Sequence, residues 1–255
     1  MQKLSVCIIT LDESRHIGAC LESASFGDEA VVVDCGSGDE TVEIARARGA
    51  TVLVWDWPGV AVQKQRAVDA ATHEWVLCLD ADERVTPALR ASIERALQGD
   101  PAAAGFELGW ETRYLGGRVR SDRGRSRWKV RLFDRRLGRW GGAEPHARVE
   151  LDGPSERLAG PLLHLTYRDV RHHAEKMNTW TTAAAEAMLD TNRSILFGVL
   201  IRPLAAFVKS WVLRGGILDG SRGFVVARMA AYYVFLKYVK LAELRRARDG
   251  SSAGA

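Results

Sequence analysis

The residues Trp75–Leu79 form a short apolar run that stops at once on charge, at Asp80, Asp82 and Glu83. A run this short is a buried strand, and one that ends on acids is a strand emerging at a sheet edge. In open α/β sheets, ligands bind beyond the carboxyl ends of the strands. Asp80 and Asp82 stand two apart, so an extended segment would put both on one face. Two carboxylates on one face can hold a hard divalent cation, which in turn can hold a diphosphate. The same Asp-x-Asp also describes a strand followed by a solvated acidic turn, so its meaning depends on the rest of the chain.

The flanking sequence alternates. Strands are expected over Leu4–Thr10, Ala30–Asp34, Thr51–Trp55 and Glu74–Leu79, with helices over Arg15–Ser25, Thr41–Arg48 and Val60–Ala71. Asp12 or Ser14 can cap the first helix, and Gly49 fits the left-handed position after the second. Such alternation implies parallel βαβ units. Parallel strands end on one edge, so Asp12, Glu13, Asp34, Asp80 and Asp82 should converge there. Acids that merely cap the following helices would account for Asp12 and Asp39, but less well for Asp34 and Asp80, which sit at the strand ends themselves. Thr86 and Pro87 open a further helix to Gln98. Gly105–Thr112, Trp128–Phe133, Arg148–Leu151 and Pro161–Leu165 read as strands. Arg113–Arg127 reads as a mobile loop and Trp140–His146 as a second irregular polar stretch. After Tyr167 the texture turns to long helical patterns: Arg168–Asp190, Leu196–Arg214 and Ser221–Arg246. A boundary is therefore expected near Thr166, giving a catalytic α/β domain over 1–166, a helical region over 167–248 and a disordered tail over 249–255.

The 47% apolar and 27% charged content is that of a globular chain. The net charge of +4 is unevenly spread. Arg113–Arg139 carries eleven Lys/Arg against Asp122 and Asp134, and Arg193–Arg248 carries eleven against Asp219 and Glu243. Basic patches favour phosphates. Cys7, Cys20, Cys35 and Cys78 form no C-x-x-C pair and read as reduced thiols. No signal peptide is expected, since Met1-Gln2-Lys3 leads straight into a strand, and no uninterrupted apolar stretch reaches the ~18–20 residues of a membrane span. Phe224–Leu241 is nearly apolar all round, broken by Arg228, Lys237 and Lys240, as in helices at a membrane interface. It could equally pack on the catalytic domain or on another subunit.

Four motifs in order resemble the family 2 inverting glycosyltransferases: Thr10-Leu11-Asp12-Glu13; Val31–Thr41 (Val-Val-Val-Asp-Cys-Gly-Ser-Gly-Asp-Glu-Thr); Gly59–Ala67, with Gln65 near the family's usual Asn; and Leu79–Glu83 (Leu-Asp-Ala-Asp-Glu). A narrower resemblance is to the branch containing lipopolysaccharide core β-1,4-glucosyltransferases. It rests on Leu132-Phe133-Asp134-Arg135, the Trp140-Gly141-Gly142…His146 segment, His164-Leu165-Thr166-Tyr167 and the helical tail with Leu213–Gly220 and Leu236-Lys237-Tyr238. The resemblance implies a GT-A fold, a Rossmann-like, mostly parallel sheet flanked by helices, here with a C-terminal helical appendage.

It also implies transfer of a hexose, glucose foremost, from a UDP-linked or other nucleotide diphosphate sugar to a lipopolysaccharide core or other lipid-linked or oligosaccharide acceptor. The enzyme would be peripheral at the inner face of the cytoplasmic membrane. Mg²⁺ or Mn²⁺ would be held by Asp82, with Asp80 on the ribose or supporting the metal through water. Asp34 would contact uracil or ribose, with Thr10 and Glu13 lining the same pocket. Lys64 and Arg66 are candidates for the diphosphate, though either could lie on an exposed helix face. Inversion needs a base for the acceptor hydroxyl. Where relatives have His-Glu this chain has His146-Ala147, so Glu144 is the favoured base and His146 a substrate or metal contact, with Asp122 and Asp134 as alternatives. Trp110, Trp128 and Trp140 could stack on sugars or fill the core. Homo-oligomers through the tail are open. Two other functions compete. A nucleotidyltransferase would want a glycine-rich basic loop where Leu11-Asp12-Glu13-Ser14 stands. A nucleic-acid module using Arg113–Arg139 would leave the strand-end acids unexplained, so no nucleic-acid partner is expected.

Overall fold

The computed structural model describes residues 2–119, 128–142, 147–165, 167 and 169–252. The chain forms two compact units, Met1–Glu111 with Ser126–His164, and Thr112–Arg125 with Leu165–Ala255.

The first unit opens with the expected alternation: β1 (Leu4–Thr10), α1 (Ser14–Ser23), β2 (Glu29–Asp34), α2 (Thr41–Ala47), β3 (Thr51–Val54), α3 (Val60–Asp69) and β4 (Trp75–Asp80). Then come β5 (Glu83–Val85), α4 (Pro87–Ala96), β6 (Gly105–Tyr114), β8 (Trp128–Asp134), β9 (Gly138–Gly141), β10 (Arg148–Leu151) and β11 (Ser155–His164), while β7 (Gly117–Arg118) falls in the second unit. The main sheet runs β3-β2-β1-β4-β8-β6-β11-β5, with β7 paired to β6. The β3-β2-β1-β4 half is parallel. Beyond β4 the strands β8 and β6 join antiparallel, so the sheet is extended by hairpin-type pairing rather than by further βαβ units. The chain is α/β with helices flanking the sheet and a helical C-terminal region, as expected.

Strand β1 shows why the sheet holds. Leu4, Val6 and Ile8 enter one apolar cluster with Ile17 of α1 and Leu89 and Ile93 of α4. Cys7 enters the opposite cluster with Ala67 and Val68 of α3 and with Phe133. Both faces of a central parallel strand are buried, so its residues are apolar without alternation. Cys7, Cys20 and Cys78 are buried free thiols and Cys35 is partly exposed. Thr86 Oγ1 accepts from Leu89 N at the start of α4, with Pro87 in the first turn. Gly49 takes φ +80° after α2.

Several elements differ from expectation. β5 has no signal in the sequence, because three residues after an acidic turn carry no periodicity. β9 runs from Gly138 into the Trp140–His146 stretch that reads as irregular; it pairs with β10 and is fixed by pairing, not pattern. No side chain caps α1 at Glu13; Ser14 N instead donates to Asp39 Oδ2 at 3.1 Å.

In the second unit, α5 (Val170–Glu186), α6 (Ile195–Val208), a π-helical turn (Lys209–Leu213), a 3-10 turn (Gly216–Asp219) and α7 (Gly220–Ser252) pack together. Ala185, Tyr238 and Leu241 form their core with Ile195, Val199 and Val234 around them. Gly198 admits the Tyr238 ring, which a Cβ there would meet at 2.1 Å. Ile195–Leu213 forms a continuous helical stretch of 19 residues with mean hydropathy 1.7, long and apolar enough by length and composition to cross a bilayer. Arg202, Pro203 and Lys209 interrupt its apolar sequence.

Gly160 combines φ +92° with close approach: a Cβ would lie 2.4 Å from Leu89 N at the start of α4. Gly99, at φ +84°, has open space around it. Gly160→Ala should therefore lower unfolding free energy in urea by about 3 kcal/mol, the sum of left-handed strain and overpacking. Gly99→Ala should cost about 1 kcal/mol from strain alone. Equal losses would show that the β11–α4 contact yields freely.

Candidate active site

The parallel strands bring their carboxyl ends to one edge. Thr10 stands opposite Asp34 and Ile9 opposite Asp80, so β1, β2 and β4 deliver Thr10, Asp34 and Asp80 side by side. Asp34 is fully buried. Its Oδ1 accepts from Gly36 N at 2.9 Å and Ser37 N at 2.8 Å, and its Oδ2 from Ser37 Oγ at 2.5 Å. It thus shapes the glycine-rich turn that follows it. Thr10 Oγ1 is buried beside it without a hydrogen-bond partner.

The loops after β1 and β2 are laced together. Asp12 takes φ +53°, its N donates to Ser37 Oγ and its Oδ1 accepts from Gly38 N, both at 2.8 Å. Glu13 N donates to Thr41 Oγ1 at 2.8 Å. Asp39 ties the loops by accepting from Ser14 N and from the backbone and hydroxyl of Thr41. Burial pushes its carboxyl up, but the donors of Thr41 and Ser14 outweigh this and bring it down to about 2. Asp39 is a loop clasp, in keeping with its reading as a local cap.

Beneath the β4 end lies an ion-pair cluster. Lys64, only 5% exposed, contacts Asp80 Oδ1 at 2.5 Å. Arg131, 4% exposed, reaches Asp80 Oδ2 at 3.1 Å and Glu83 Oε1 at 3.3 Å through Nη2. Glu83 Oε2 accepts from Asp80 N at 2.9 Å. Burial pushes the Asp80 carboxyl up, but Lys64 and Arg131 prevail and hold it below the ordinary carboxylate range. Burial prevails at Glu83 and raises it, against Arg131. The Arg131 guanidinium lies over the indoles of Trp110 and Trp140, 5.1 and 5.4 Å from the ring centroids, and Lys64 lies over Trp140 at 4.7 Å.

Local backbone geometry aims Arg131 into this cluster. Phe106 pairs with Leu132 and Glu107 with Val130, so Arg131 is the extra residue of a β-bulge. Bulges re-aim side chains next to functional sites.

Asp82 leaves the cluster. Strand β4 ends at Asp80 and β5 begins at Glu83, so the two-apart rule no longer pairs the carboxylates on one strand face. Asp82 Oδ2 instead faces His164 Nε2 at 3.5 Å. Burial lowers the imidazole pKa, but the hydrogen bond and charge of Asp82 outweigh it and raise it. His164 also stacks with Trp110, centroids 5.9 Å apart.

The other expected residues separate. Lys64 is buried, which rules out an exposed helix face for it. Arg66 turns to Asp56, donating to its carbonyl and carboxylate at 2.9 and 3.0 Å, and stacks over Trp55. Asp80 has both oxygens in ion pairs, with Lys64 and Arg131. Asp134, an alternative base, pairs with Trp75 at the opposite end of β4 and is gripped by Arg136; it is not at the site. Trp140 is buried, its Nε1 donating to Cys78 Sγ at 3.3 Å. Trp128 lies under Arg157. Glu144, His146 and Asp122 lie outside the described residues. Among the described residues no group of three or more His, Cys, Asp or Glu is placed to hold a metal; Asp82 and His164 are a pair.

Sequence reading gave no role to Arg131, Glu83 or His164. Arg131 alternates with Lys129, the pattern of an outward strand face, and nothing in it announces a bulge. His164 opens the His164-Leu165-Thr166-Tyr167 segment, but its partner Asp82 lies 82 residues away in sequence.

Removing Arg131 would leave the buried Glu83 without its counter-charge and the partly exposed Asp80 with Lys64 alone. Arg131→Met should lower unfolding free energy by about 3–5 kcal/mol. Adding Glu83→Gln should restore a good part of it, a coupling of 1 kcal/mol or more in a double-mutant cycle. Additive losses would sink the assignment of Arg131 as the counter-charge.

A family model for "Glycosyl transferase family 2" matches residues 5–147. The chain is 28% identical over 246 residues to the lipopolysaccharide core biosynthesis glycosyltransferase LpsC of Rhizobium meliloti (strain 1021), covering 93% of this chain and 91% of that protein. It is 27% identical over 266 aligned positions to an uncharacterized glycosyltransferase of Rickettsia prowazekii (strain Madrid E), covering 96% and 88%. Among solved structures, glucosyl-3-phosphoglycerate synthase from Mycobacterium tuberculosis in complex with phosphoglyceric acid is similar at a TM-score of 0.48 and 20% identity, over 73% of this chain and 79% of that one.

Proposed function

The chain belongs to glycosyl transferase family 2, and from that premise we propose that it moves a hexose, with inversion, from a UDP-linked or similar nucleotide sugar to a saccharide hydroxyl. Membership makes it a glycosyltransferase and sets aside the nucleotidyltransferase and nucleic-acid readings. The named role of LpsC supports a lipopolysaccharide core or other lipid-linked acceptor.

The observation that carries the reading is the division of the Asp-x-Asp. Asp80 is fixed as an anion by Lys64 and Arg131, while Asp82 faces His164 nearby. A carboxylate oxygen and an imidazole nitrogen fit Mn²⁺ better than Mg²⁺, whose preference is for oxygen throughout, and leave positions for diphosphate oxygens and water. When bound, the ion would stabilise the negative charge that develops on the leaving nucleoside diphosphate. Asp82 and His164 would hold it, and Asp80 would orient the ribose from a carboxylate that two cations keep ionised. Thr10, Glu13 and Asp34 would line the nucleoside side of the same edge, with Asp34 shaping the 36–37 turn. Lys64 would act through Asp80, not directly on phosphate. Glu144 would take the acceptor proton as general base, and His146 would touch substrate.

UDP with Mn²⁺ should raise the melting temperature of the wild-type protein and shift Asp82→Asn and His164→Ala far less. Both variants should lose at least about a hundredfold in transfer rate, in the range for removal of transition-state charge stabilisation. Wild-type activity in Asp82→Asn would overturn the metal assignment. Glu144→Gln should lose transfer to a similar degree and keep the UDP–Mn²⁺ shift; loss of that shift would move Glu144 from base to donor binding.

A further inference from the structure

Helix α1 carries His16, Cys20 and Ser23 at helical intervals of four and three, so the three lie on one face. That face meets the turn that follows β4. Ser23 Oγ accepts from Val85 N at 3.1 Å, and Cys20 Sγ donates to Asp80 O at 3.6 Å. Between these contacts stands Arg84, half-buried. Its Nη1 donates to Ala81 O at 2.9 Å and to Glu83 O at 2.7 Å. Its Nη2 donates to His16 O at 2.9 Å and lies 3.3 Å from His16 Nδ1. A guanidinium can only donate, so Nδ1 accepts and the imidazole proton sits on Nε2.

The two carbonyls on Nη1 belong to the residues before and after Asp82. We propose that Arg84 is a positioning residue for Asp82: its guanidinium pins the backbone on both sides of that residue to α1 and so holds the carboxylate toward His164 for a divalent ion. This rests on the reading of Asp82 as a metal ligand. The planar fork is what the task requires, because one rigid group must serve a turn and a helix 68 residues away in sequence at the same time. A lysine at this position would offer a single point charge on a flexible stem.

Arg84 differs from the other cations near this edge. Lys64, Arg66 and Arg131 end on carboxylates and so fix charge. The hydrogen bonds of Arg84 described above end on carbonyls and an imidazole and so fix backbone. His16 lies in the first turn of α1, and its own N donates to Glu13 O at 2.8 Å. The same guanidinium therefore joins the Asp82 turn to the end of the loop that carries Thr10 and Glu13. Loosening it would weaken the hold on an ion at Asp82 while the contacts of that loop stay in place.

Thermal shift at fixed UDP with rising Mn²⁺ tests this without turnover. Arg84→Met should raise the Mn²⁺ concentration for half-maximal stabilisation by about tenfold or more, the range for losing a group that orients a metal ligand, with the full shift recovered at saturating Mn²⁺. Arg84→Lys, which keeps the charge and the stem, should move the midpoint in the same direction by less. In transfer assays Arg84→Met should lose most rate at limiting Mn²⁺ and regain much of it when Mn²⁺ is raised. Ser23→Ala loosens the same helix–turn contact beyond Asp82 and should lower the melting temperature without moving the Mn²⁺ midpoint. A midpoint unmoved in Arg84→Met, or in Arg84→Lys should the methionine variant fail to fold, overturns the proposal. An equal move in Ser23→Ala makes Arg84 one structural contact among several and overturns it too. An Mn²⁺ response left intact in Asp82→Asn overturns the metal reading of Asp82, and this proposal with it.

Discussion

Arg131 is the interaction on which the site in the first unit depends. Its guanidinium bridges Asp80 and Glu83 below the carboxyl edge of the sheet and is held between two indoles. A buried ion pair of this kind is weak evidence for stability but fixes geometry and ionisation, because either carboxylate alone would be strongly disfavoured there. Lys64 completes the arrangement from α3. An acidic strand end thereby becomes a pair of groups with different tasks: Asp80 is locked as an anion and Asp82 is turned toward His164.

Order at the neighbouring strand ends comes from neutral donors. Asp34, Asp39 and Asp12 spend their oxygens on backbone amides and hydroxyls of the 35–41 loop. A carboxylate satisfied by amides is worth more to loop shape than one left in water. These bonds tie the two loops beyond β1 and β2 to each other.

The second unit solves a different problem. Its helices bury a small core around Tyr238 and Leu241 and leave one side of α6 apolar and exposed. Helix α7 packs against both α5 and α6, whereas α6, the more apolar of the two, keeps Leu196, Leu200 and Leu204 exposed.

The sequence by itself determined the alternation β1 to β4, because buried parallel strands must be continuous apolar runs and turn residues such as Gly49 separate them from the helices. It also determined that Thr10, Asp34 and Asp80 share an edge, since parallel strands end together, and its four ordered motifs pointed to the family. Only the tertiary structure decided how the acids divide. Strand β4 stops at Asp80, and a bulge places Arg131 there from a strand 51 residues further on. His164 reaches Asp82 because β11 pairs with β5. Bulges, register and counter-charges arise from pairing between distant segments, and hydrophobic periodicity along one segment carries no trace of them. The same holds for α6: its apolar residues are plain in the sequence, but which of them stay uncovered depends on the helix that packs against the other side.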